Sequence, residues 1–262
     1  MFHILSSAVR SPPMNRISGY KKDLAFIHDR GFSSFSLEAA EGLLKLFRKH
    51  RIPEARVVEL GCGSGRLAHV PVSDGFNVTG IDSSPSMIAL ARQNAPRGKF
   101  SVRCIWNYDV PRCGGVISIG EVLNYQFAGW ISRRRLRVLF SRIYKSLVPS
   151  GLFVFDILCT RDEGRTVHTR SFTESRNWLV AVDKSDSPTS IVRRIVSFRK
   201  QGRRYRRSVE VHTVQRYNLQ EVLAAMRGIG FSVSTRGGYL RRPLGNGHFV
   251  VVGRKPAGSS LR

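Results

Sequence analysis

The fold of this chain is decided by one stretch, Val57-Val58-Glu59-Leu60-Gly61-Cys62-Gly63-Ser64-Gly65. Its first four residues form a short β-rich run, and three glycines follow at alternate positions. Glycine lets a backbone turn sharply and approach a ligand without a Cβ atom in the way. A strand that ends in such a bend, at the start of a helix, is typical of the ligand site of a doubly wound α/β sheet.

The residues around the glycines distinguish between two kinds of nucleotide ligand. Dinucleotide sites usually carry G-x-G-x-x-G, whereas this chain has G-x-G-x-G. The acidic Glu59 does not suit an anionic pyrophosphate, but it suits a cationic amino group. Asp82 ends the next β-rich run, roughly 20 residues on, where a carboxylate can accept hydrogen bonds from a ribose diol. These features favour a ligand with a ribose and an ammonium group but no phosphate, which describes S-adenosylmethionine.

Further along the chain, β-rich runs alternate with helical patterns. Strands are predicted at 57–60, 76–81, 100–102, 115–119, 151–157, 231–235 and 249–253, and helices at 22–28, 36–47, 85–92, 136–147 and 219–226. This alternation predicts a parallel sheet with helices on both faces. The expected fold class is therefore α/β, with a doubly wound, mostly parallel seven-stranded sheet.

The alternation is interrupted in the second half of the chain. Strand-like runs at 178–182, 191–198 and 205–217 are joined by turn signals, which predicts an antiparallel three-stranded lobe within residues 170–217. The expected organisation is one domain at 19–256, whose N-terminal helices at 19–50 form a lid together with the lobe. Flexible tails are expected at 1–18 and 257–262.

Two segments closely resemble the first two motifs of class I S-adenosylmethionine methyltransferases. They are the glycine stretch at 57–65 and the run Val78-Thr79-Gly80-Ile81-Asp82-Ser83-Ser84-Pro85-Ser86-Met87. Segments at 23–32, 120–125, 152–156, 205–212 and 230–231 are similar to those of a bacterial subgroup whose acceptor is unassigned. The resemblance covers roughly residues 19–256 and implies the Rossmann-like methyltransferase fold, with S-adenosylmethionine as cofactor.

The resemblance also implies cofactor contacts. Glu59, Gly61 and Gly63 would line the methionine end, Asp82 would hold the ribose, and Ser83 or Met87 would flank it. Cys104 and Ile105 would sit by the adenine, and the remaining expected contacts are Tyr20, Cys62, Gly120 and Glu121. The chain departs from the family pattern twice: the acidic residue common beside the adenine is missing, because Asp109 comes several positions late, and Pro71 should shorten or kink the first helix.

Four side chains are candidates for work on the methyl acceptor. His212 and Glu210 are two residues apart on a strand and hence on one face, so His212 could take a proton from the acceptor. His28 could act with Asp29 as an acid–base pair on the lid. Tyr125 follows the fourth strand, where this fold places its acceptor, and Glu121 there could contact cofactor or acceptor. Each of these side chains could instead have a purely structural role. His212 could be a cross-strand partner, the His28–Asp29 pair could end a helix, Tyr125 could pack in the core and Glu121 could be a solvated carboxylate in a turn.

The charge leaves the acceptor class open. The 262 residues include 43 Lys and Arg against 18 Asp and Glu, a formal net charge of +25, which would attract a polyanion. Eight basic residues within 193–207 could dock a phosphate backbone, or they could simply form a solvated face. A small-molecule acceptor is the leading hypothesis. An RNA or other nucleic-acid acceptor and a non-catalytic S-adenosylmethionine-binding protein are the alternatives.

Several other classes of protein are disfavoured. Cys62, Cys104, Cys113 and Cys159 have no C-x-x-C spacing, which argues against a metal site and a disulfide framework. No apolar run approaches the length of a membrane span, and the N-terminus lacks the pattern of a signal peptide. A cytoplasmic protein without a membrane partner is expected, and no feature of the sequence predicts an oligomeric state.

Overall fold

The computed structural model of the chain describes residues 19–52, 54–161, 164–239 and 242–258. The tail predicted at 1–18 lies outside the described residues, as do the last four residues of the tail predicted at 257–262. Within these ranges the helices are α1 Lys22–Gly31, α2 Ser34–His50, α3 Arg66–Ser73, α4 Pro85–Asn94, α5 Arg133–Ser146 and α6 Leu219–Arg227.

The strands follow the order in which the chain enters the main sheet, the lobe and the main sheet again. They are β1 Arg56–Leu60, β2 Asn77–Asp82, β3 Lys99–Val102, β4 Cys113–Ser118, β5 Leu147–Leu158, β6 Val167–Ser175, β7 Trp178–Asp186, β8 Ser190–Gln201, β9 Arg204–Gln215, β10 Ser232–Arg236, β11 Gly238–Tyr239, β12 Arg242–Pro243 and β13 His248–Arg254.

The main sheet has seven strands in the order β10-β13-β5-β4-β1-β2-β3. The five strands from β3 to β5 pair in parallel, whereas β13 is antiparallel to both β5 and β10. The strand order reverses at β1, between β4 and β2. The predicted doubly wound, mostly parallel α/β sheet is confirmed, and its switch point lies where the glycine stretch leaves β1.

Side chains on the two faces of this sheet build two separate cores. Phe153 and Phe155 of β5 pack with α5 and α6 on one face. Their neighbours Leu152 and Val154 pack with α2, α3 and α4 on the other. Because both faces are covered, the central strands β1, β4 and β5 are buried over nearly their whole length, as expected for a parallel sheet.

The lobe is a separate antiparallel sheet of four strands, β6-β7-β8-β9, so the prediction of three strands was wrong by one. The missed strand β6 pairs with β7 over nine residues and is exposed along its whole length. It lies at an edge and is held by backbone hydrogen bonds to β7, not by burial of side chains. A strand of this kind leaves no hydrophobic periodicity in the sequence.

The N-terminal helices divide their roles. Helix α1 lies between the lobe and the main domain, with Leu24 and Ile27 packed on Trp178 and Val180 of β7. Helix α2 instead contributes Leu43 and Phe47 to a core of the main sheet. Of the two helices expected to form a lid, α1 is therefore the one that packs on the lobe.

The first helix after the glycines is short, as the proline predicted. Helix α3 has eight residues and ends two residues beyond Pro71. The carbonyl of Pro71 accepts hydrogen bonds from the backbone N–H groups of Asp74 and Phe76, which close the helix end. None of the helices in the described part of the chain is long and apolar enough to cross a bilayer.

Candidate active site

The glycine loop turns the chain out of β1 with left-handed backbone conformations. The φ angles are 73° at Gly61, 52° at Gly63 and 73° at Gly65, which glycine adopts without strain. A Cβ atom at Gly61 would collide with Val122, and one at Gly65 would collide with Ala91 of α4. A Cβ atom at Gly63 would meet nothing within 4 Å, because this residue faces an open cleft.

This glycine-loop cleft lies at the carboxyl ends of β1, β2 and β4 and contains all but one of the expected cofactor contacts. It is lined by Tyr20, Glu59, Gly61, Cys62, Gly63, Asp82, Ser83, Met87, Cys104, Ile105 and Gly120. The exception, Glu121, lies outside it. Two of the predicted catalytic residues, His28 and Tyr125, also line the cleft, and His212 does not.

The cleft contains a buried carboxylate without a partner. Glu59 is 3% exposed, and its Oε2 atom has no hydrogen bond. Burial raises the pKa of Glu59 to about 8, and the nearby carboxylate of Asp82 contributes to the shift. Neither carboxylate forms an ion pair with any residue that the structure describes. In a chain of net charge +25, a buried carboxylate without a basic partner is suited to a cation from outside.

Asp82 also holds the loop in shape. Its Oδ2 accepts a hydrogen bond of 3.0 Å from the backbone N–H of Gly63, and its Oδ1 one of 2.8 Å from that of Ser84. Burial raises the pKa of Asp82, and these hydrogen bonds oppose that shift. A carboxylate oxygen has room for more than one donor, so Asp82 can still accept from a bound diol.

The far wall of the cleft follows β3. Cys104 and Ile105 line it, and Trp106 of the short 3₁₀ turn at 105–107 joins them. Asp109 is exposed and does not line the cleft. This wall of the cleft is therefore apolar. Trp106 was missed, although a tryptophan four residues after the third strand was a visible signal.

A second cavity, of about 600 Å³, adjoins the cleft. This lobe cavity lies between α1, the inner face of the lobe and the loops after β4 and β12. The cleft and the lobe cavity share lining residues, which mark where they meet: Tyr20, His28, Phe32, Phe35, Gly120 and Tyr125. Its volume is in the range that holds a small molecule.

Glu121 lies in the lobe cavity, held in an ion-pair network. Arg193 of β8 donates to both carboxylate oxygens, at 2.9 and 3.3 Å, and His248 lies 2.8 Å away. Burial alone would raise the pKa of Glu121, but the hydrogen bonds from His248 and Arg193 outweigh it and bring the pKa to about 2. Glu121 is thus a fixed anion in the lobe cavity, away from the glycine loop.

The loop that carries Glu121 is itself strained and anchored. Gly120 and Glu121 have φ angles of 93° and 60°, the left-handed region that a glutamate seldom adopts. The carboxylate of Asp156 on β5 compensates, because it accepts from both backbone N–H groups at 2.7 to 3.0 Å. Burial raises the pKa of Asp156 to about 6 despite these bonds.

Two tyrosines stand where the cavities meet. The hydroxyl oxygens of Tyr20 and Tyr125 are 3.0 Å apart, and the Tyr20 ring has His28 on one side and His212 on the other, with centroids 5.0 and 4.9 Å away. Burial, followed by the proximity of Tyr125, raises the pKa of Tyr20 well above its usual value. Both phenols are therefore neutral donors at physiological pH.

His212 and Glu210 form the pair that their spacing predicted. Nε2 of His212 lies 3.0 Å from Oε2 of Glu210, and both side chains are buried. The other carboxylate oxygen accepts from the backbone N–H of Lys21 at 2.9 Å, which joins the pair to the start of α1. His212 faces the lobe cavity.

His28 and Asp29 do not form the pair that was expected. Asp29 accepts two hydrogen bonds from Arg66, of 2.8 and 2.9 Å, and a third from Asn94, all on the main domain. Successive helical residues point in different directions, and His28 faces the cavities instead. Its Nδ1 has no partner, and burial, opposed by Asp29, lowers its pKa to about 4, so the ring is neutral.

The structure also places functional groups that sequence patterns missed. Arg193 and His248 reach Glu121 from 72 and 127 residues away. Arg193 was noticed only as part of a basic run. Among the described residues, no group of three His, Cys, Asp or Glu side chains could hold a metal ion, and the four cysteines are free thiols.

Comparisons with known proteins agree with this architecture. A family model described as a methyltransferase domain matches residues 57–151. A putative methyltransferase of Geobacillus sp. is 25% identical over 224 residues, which is 81% of this chain and 89% of that protein.

Solved structures extend the likeness to most of the fold. An S-adenosylmethionine-dependent methyltransferase from Clostridium acetobutylicum superposes with a TM-score of 0.73 at 16% identity, covering 89% of this chain and 98% of that one. An amino pentose methyltransferase from Micromonospora echinaspora, solved with S-adenosylmethionine bound, gives 0.71 at 17% identity, covering 91% and 99%. Together with the glycine loop and its two carboxylates, these matches support a class I S-adenosylmethionine-dependent methyltransferase.

Proposed function

We propose that the chain transfers a methyl group to a small molecule held in the lobe cavity, with the cofactor in the glycine-loop cleft. The observation that carries this assignment is the unpaired, buried carboxylate of Glu59, together with Asp82, in a cleft that offers no ion pair to either among the described residues. Such a site attracts a cation and repels a pyrophosphate.

The residues of the cleft fit S-adenosylmethionine group by group. Glu59 would accept from its ammonium, Asp82 would accept from the ribose hydroxyls, and Gly63 leaves space for the ligand next to the backbone. Ile105 and Trp106 offer an apolar wall for the adenine. When bound, the cofactor supplies a methyl group already activated by the positive sulfonium.

The residues between the cavities would align the acceptor. Tyr20 and Tyr125 line both spaces, so their hydroxyl groups can orient a nucleophile at the point where it meets the methyl group. Displacement at a methyl carbon depends chiefly on such positioning and on exclusion of water. The lid helix α1 and the lobe supply the exclusion.

His212 would take the acceptor's proton. Because Glu210 accepts at Nε2, that nitrogen carries the hydrogen and Nδ1 is the basic atom. The glutamate would stabilise the imidazolium that forms, as a carboxylate does in other acid–base pairs. A nucleophile that arrives as a hydroxyl or an ammonium group needs this step.

The lobe cavity suits a small amphipathic acceptor. One wall is apolar, with Leu24, Val180 and Ile195, and the other carries Arg193, Glu121 and His248. Methylation of small molecules is also named for proteins with a similar fold or sequence, among them the amino pentose methyltransferase and, at 29% identity over 134 residues, a trans-aconitate 2-methyltransferase of Delftia acidovorans.

An RNA acceptor is the second candidate. Its support is the net charge and a relative in Schizosaccharomyces pombe, an 18S rRNA (guanine-N(7))-methyltransferase that is 33% identical over 102 residues. The geometry favours it less, because Arg193, Arg199 and Arg206 of the basic run form ion pairs with Glu121 and Asp23 around the lid.

Two measurements test the proposal. Calorimetric titration of the full chain should show binding of S-adenosylmethionine and of its demethylated product but not of NAD. Incubation with methyl-labelled cofactor and a metabolite extract should place the label in the small-molecule fraction. Binding of NAD alone would refute the cofactor assignment. Label in RNA, lost steeply with added salt, would establish the second candidate instead.

A further inference from the structure

The lobe has a second face that the site does not use. Side chains alternate along a strand, so Arg193, Glu210 and His212 share the inner face towards the cavity, and their neighbours point outward. The outer face is built from the intervening residues of all four strands. It carries a central apolar group formed by Phe172, Ala181, Val196 and Val209, with Leu179 and Phe198 beside it.

Nothing in the described chain covers this outer face. Its apolar residues belong to none of the clusters of buried side chains. Phe172 is 70% exposed, and Val211 on the same face is 47% exposed. Contiguous apolar patches on a soluble protein mark sites where another surface docks.

The register of the lobe arranges the outer face in rows across the strands. The central row, from β6 to β9, is Phe172, Ala181, Val196 and Val209. One flanking row is Glu174, Leu179, Phe198 and Arg207. The other is Arg170, Asp183, Arg194 and Val211. Within these rows the acidic residues are Glu174 on β6 and Asp183 on β7, and the basic residues are Arg170 on β6, Arg194 on β8 and Arg207 on β9.

This pattern is complementary to itself. A two-fold axis parallel to the strands, between β7 and β8, brings β6 over the β9 of a second copy and β7 over its β8. Each row of one copy then faces the same row of the second copy, with the order of the strands reversed. Glu174 meets Arg207 and Asp183 meets Arg194. In the central row Phe172 meets Val209. Opposite charges and apolar groups coincide at five of the six facing positions in these rows, and at the sixth Arg170 meets Val211.

We propose that the outer face is a self-association surface, on which a second copy of this chain packs about that two-fold axis. An interface of this kind is isologous, and its patch must be self-complementary, as this one is. Strands about 4.8 Å apart and about 30 Å long make a face on the order of 600 Å² in projection. Its accessible area is larger, and stable interfaces bury about 800 Å² per partner.

A polyanion fits the outer face less well. The centre is apolar, and the flanking rows carry Glu174 and Asp183 among the basic residues. Asp183 already lies 3.6 Å from Arg170 within the chain, yet its side chain stays 45% exposed and free to meet a second cation. A phosphate backbone would be repelled by both acids, whereas a second copy uses them.

The experiment is sedimentation equilibrium of the full chain from 1 to 100 µM, and a dimer is expected. Phe172→Asp should weaken dimerisation at least ~100-fold, because it puts a charge in the apolar centre. This residue is largely exposed in the monomer, so the variant should fold, which circular dichroism checks. Trp130→Asp is the matched control, since Trp130 is 68% exposed outside the lobe, and it should stay dimeric.

A charge exchange makes the geometry itself testable. Asp183→Arg and Arg194→Asp should each weaken the dimer at least ~10-fold. Position 183 of each copy faces position 194 of the other, so each substitution creates two pairs of like charges across the interface. Combined in one chain, they should return the dissociation constant to within ~3-fold. A monomeric wild type, or a double variant weaker than both singles, would overturn the proposal. Cofactor affinity should be unchanged in all variants, so failure here is separate from failure of the proposed function.

Discussion

The hydroxyl oxygens of Tyr20 and Tyr125 lie 3.0 Å apart although 105 residues separate them in the chain. One tyrosine comes from the lid and the other from the loop region after β4, so the bond closes the boundary between the glycine-loop cleft and the lobe cavity. Ser84, which caps α4, donates to the carbonyl of Tyr20 and holds the lid residue in place.

Tyr125→Phe should lower kcat/KM for the acceptor by about tenfold or more, because the phenylalanine cannot orient a nucleophile. Affinity for S-adenosylmethionine should change by less than about threefold, since the ring remains in the wall. Steady-state kinetics and calorimetry measure the two quantities. Phe127→Leu, which alters the stacked neighbour but removes no hydroxyl, is the matched comparison. Equal losses in both variants would mean that Tyr125 acts by packing alone.

Glu59 should make cofactor binding release a proton. Its pKa of about 8 keeps the free carboxyl largely protonated at pH 7, whereas a bound ammonium favours the ionised form. Calorimetry in two buffers of different ionisation enthalpy should detect the release, and affinity should rise from pH 6 to pH 8. Glu59→Gln should abolish the release and weaken binding at least ~10-fold, while Glu54→Gln at the surface should do neither.

The same carboxyl should affect stability. The usual pKa of a glutamate is 4.5, and that of Glu59 in the folded chain is about 8. Between these two pH values the folded chain keeps the proton, whereas the unfolded chain has lost it. Its contribution to the free energy of unfolding therefore falls as the pH rises through that interval. In thermal melts without cofactor, the Tm of Glu59→Gln should fall less steeply with rising pH than the Tm of the wild type. An unchanged slope would contradict the raised pKa.

His212→Ala should reduce kcat by roughly 10²-fold or more and leave cofactor affinity nearly unchanged, as expected for loss of a general base. Glu210→Gln should cost less, because the glutamine oxygen can still hold the ring, and it should shift the pH profile of kcat, because the charge that stabilises the imidazolium is lost. The exposed His69→Ala is the control for loss of a histidine. Full activity of the His212 variant would show that His212 is not the general base.

Asp29→Asn should loosen the lid. Asparagine keeps only one of the two oxygens that accept hydrogen bonds from Arg66. Because Asp29 is only 3% exposed, water cannot replace the lost bond, and the change should cost about 1–3 kcal/mol of stability. Cofactor affinity should fall as well, because α1 carries His28 and adjoins Tyr20. Asp74→Asn removes a partner of Arg48 in an exposed pair and should cost less than about 1 kcal/mol. Denaturant titration distinguishes the two.

The glycine-loop cleft was predictable because its determinants are local. Glu59, the glycines and Asp82 lie at strand ends within one βαβ unit, and that unit fixes their separation. The His212–Glu210 pair was predictable for the same reason, since two residues on one strand share a face.

The lobe cavity was not predictable in this way. Arg193, Glu121 and His248 meet only after the lobe folds back on the main sheet, and no spacing in the sequence encodes that approach. Strand β6 has no buried face to leave a pattern. His28 and Asp29 are adjacent in sequence, but tertiary partners of Asp29 decided where its carboxylate points.

Along β8, successive arginines serve opposite sides of one thin sheet: Arg193 points to the chamber and Arg194 to the outer surface. A single-residue insertion or deletion within this strand would exchange the two faces beyond it and turn the buried side chains of Ile195 and Ser197 to the outer surface. Changes of two residues would preserve the alternation. We therefore expect insertions and deletions in β8 among related chains to comprise an even number of residues, because only these keep the same side chains on the inner and the outer face of the lobe.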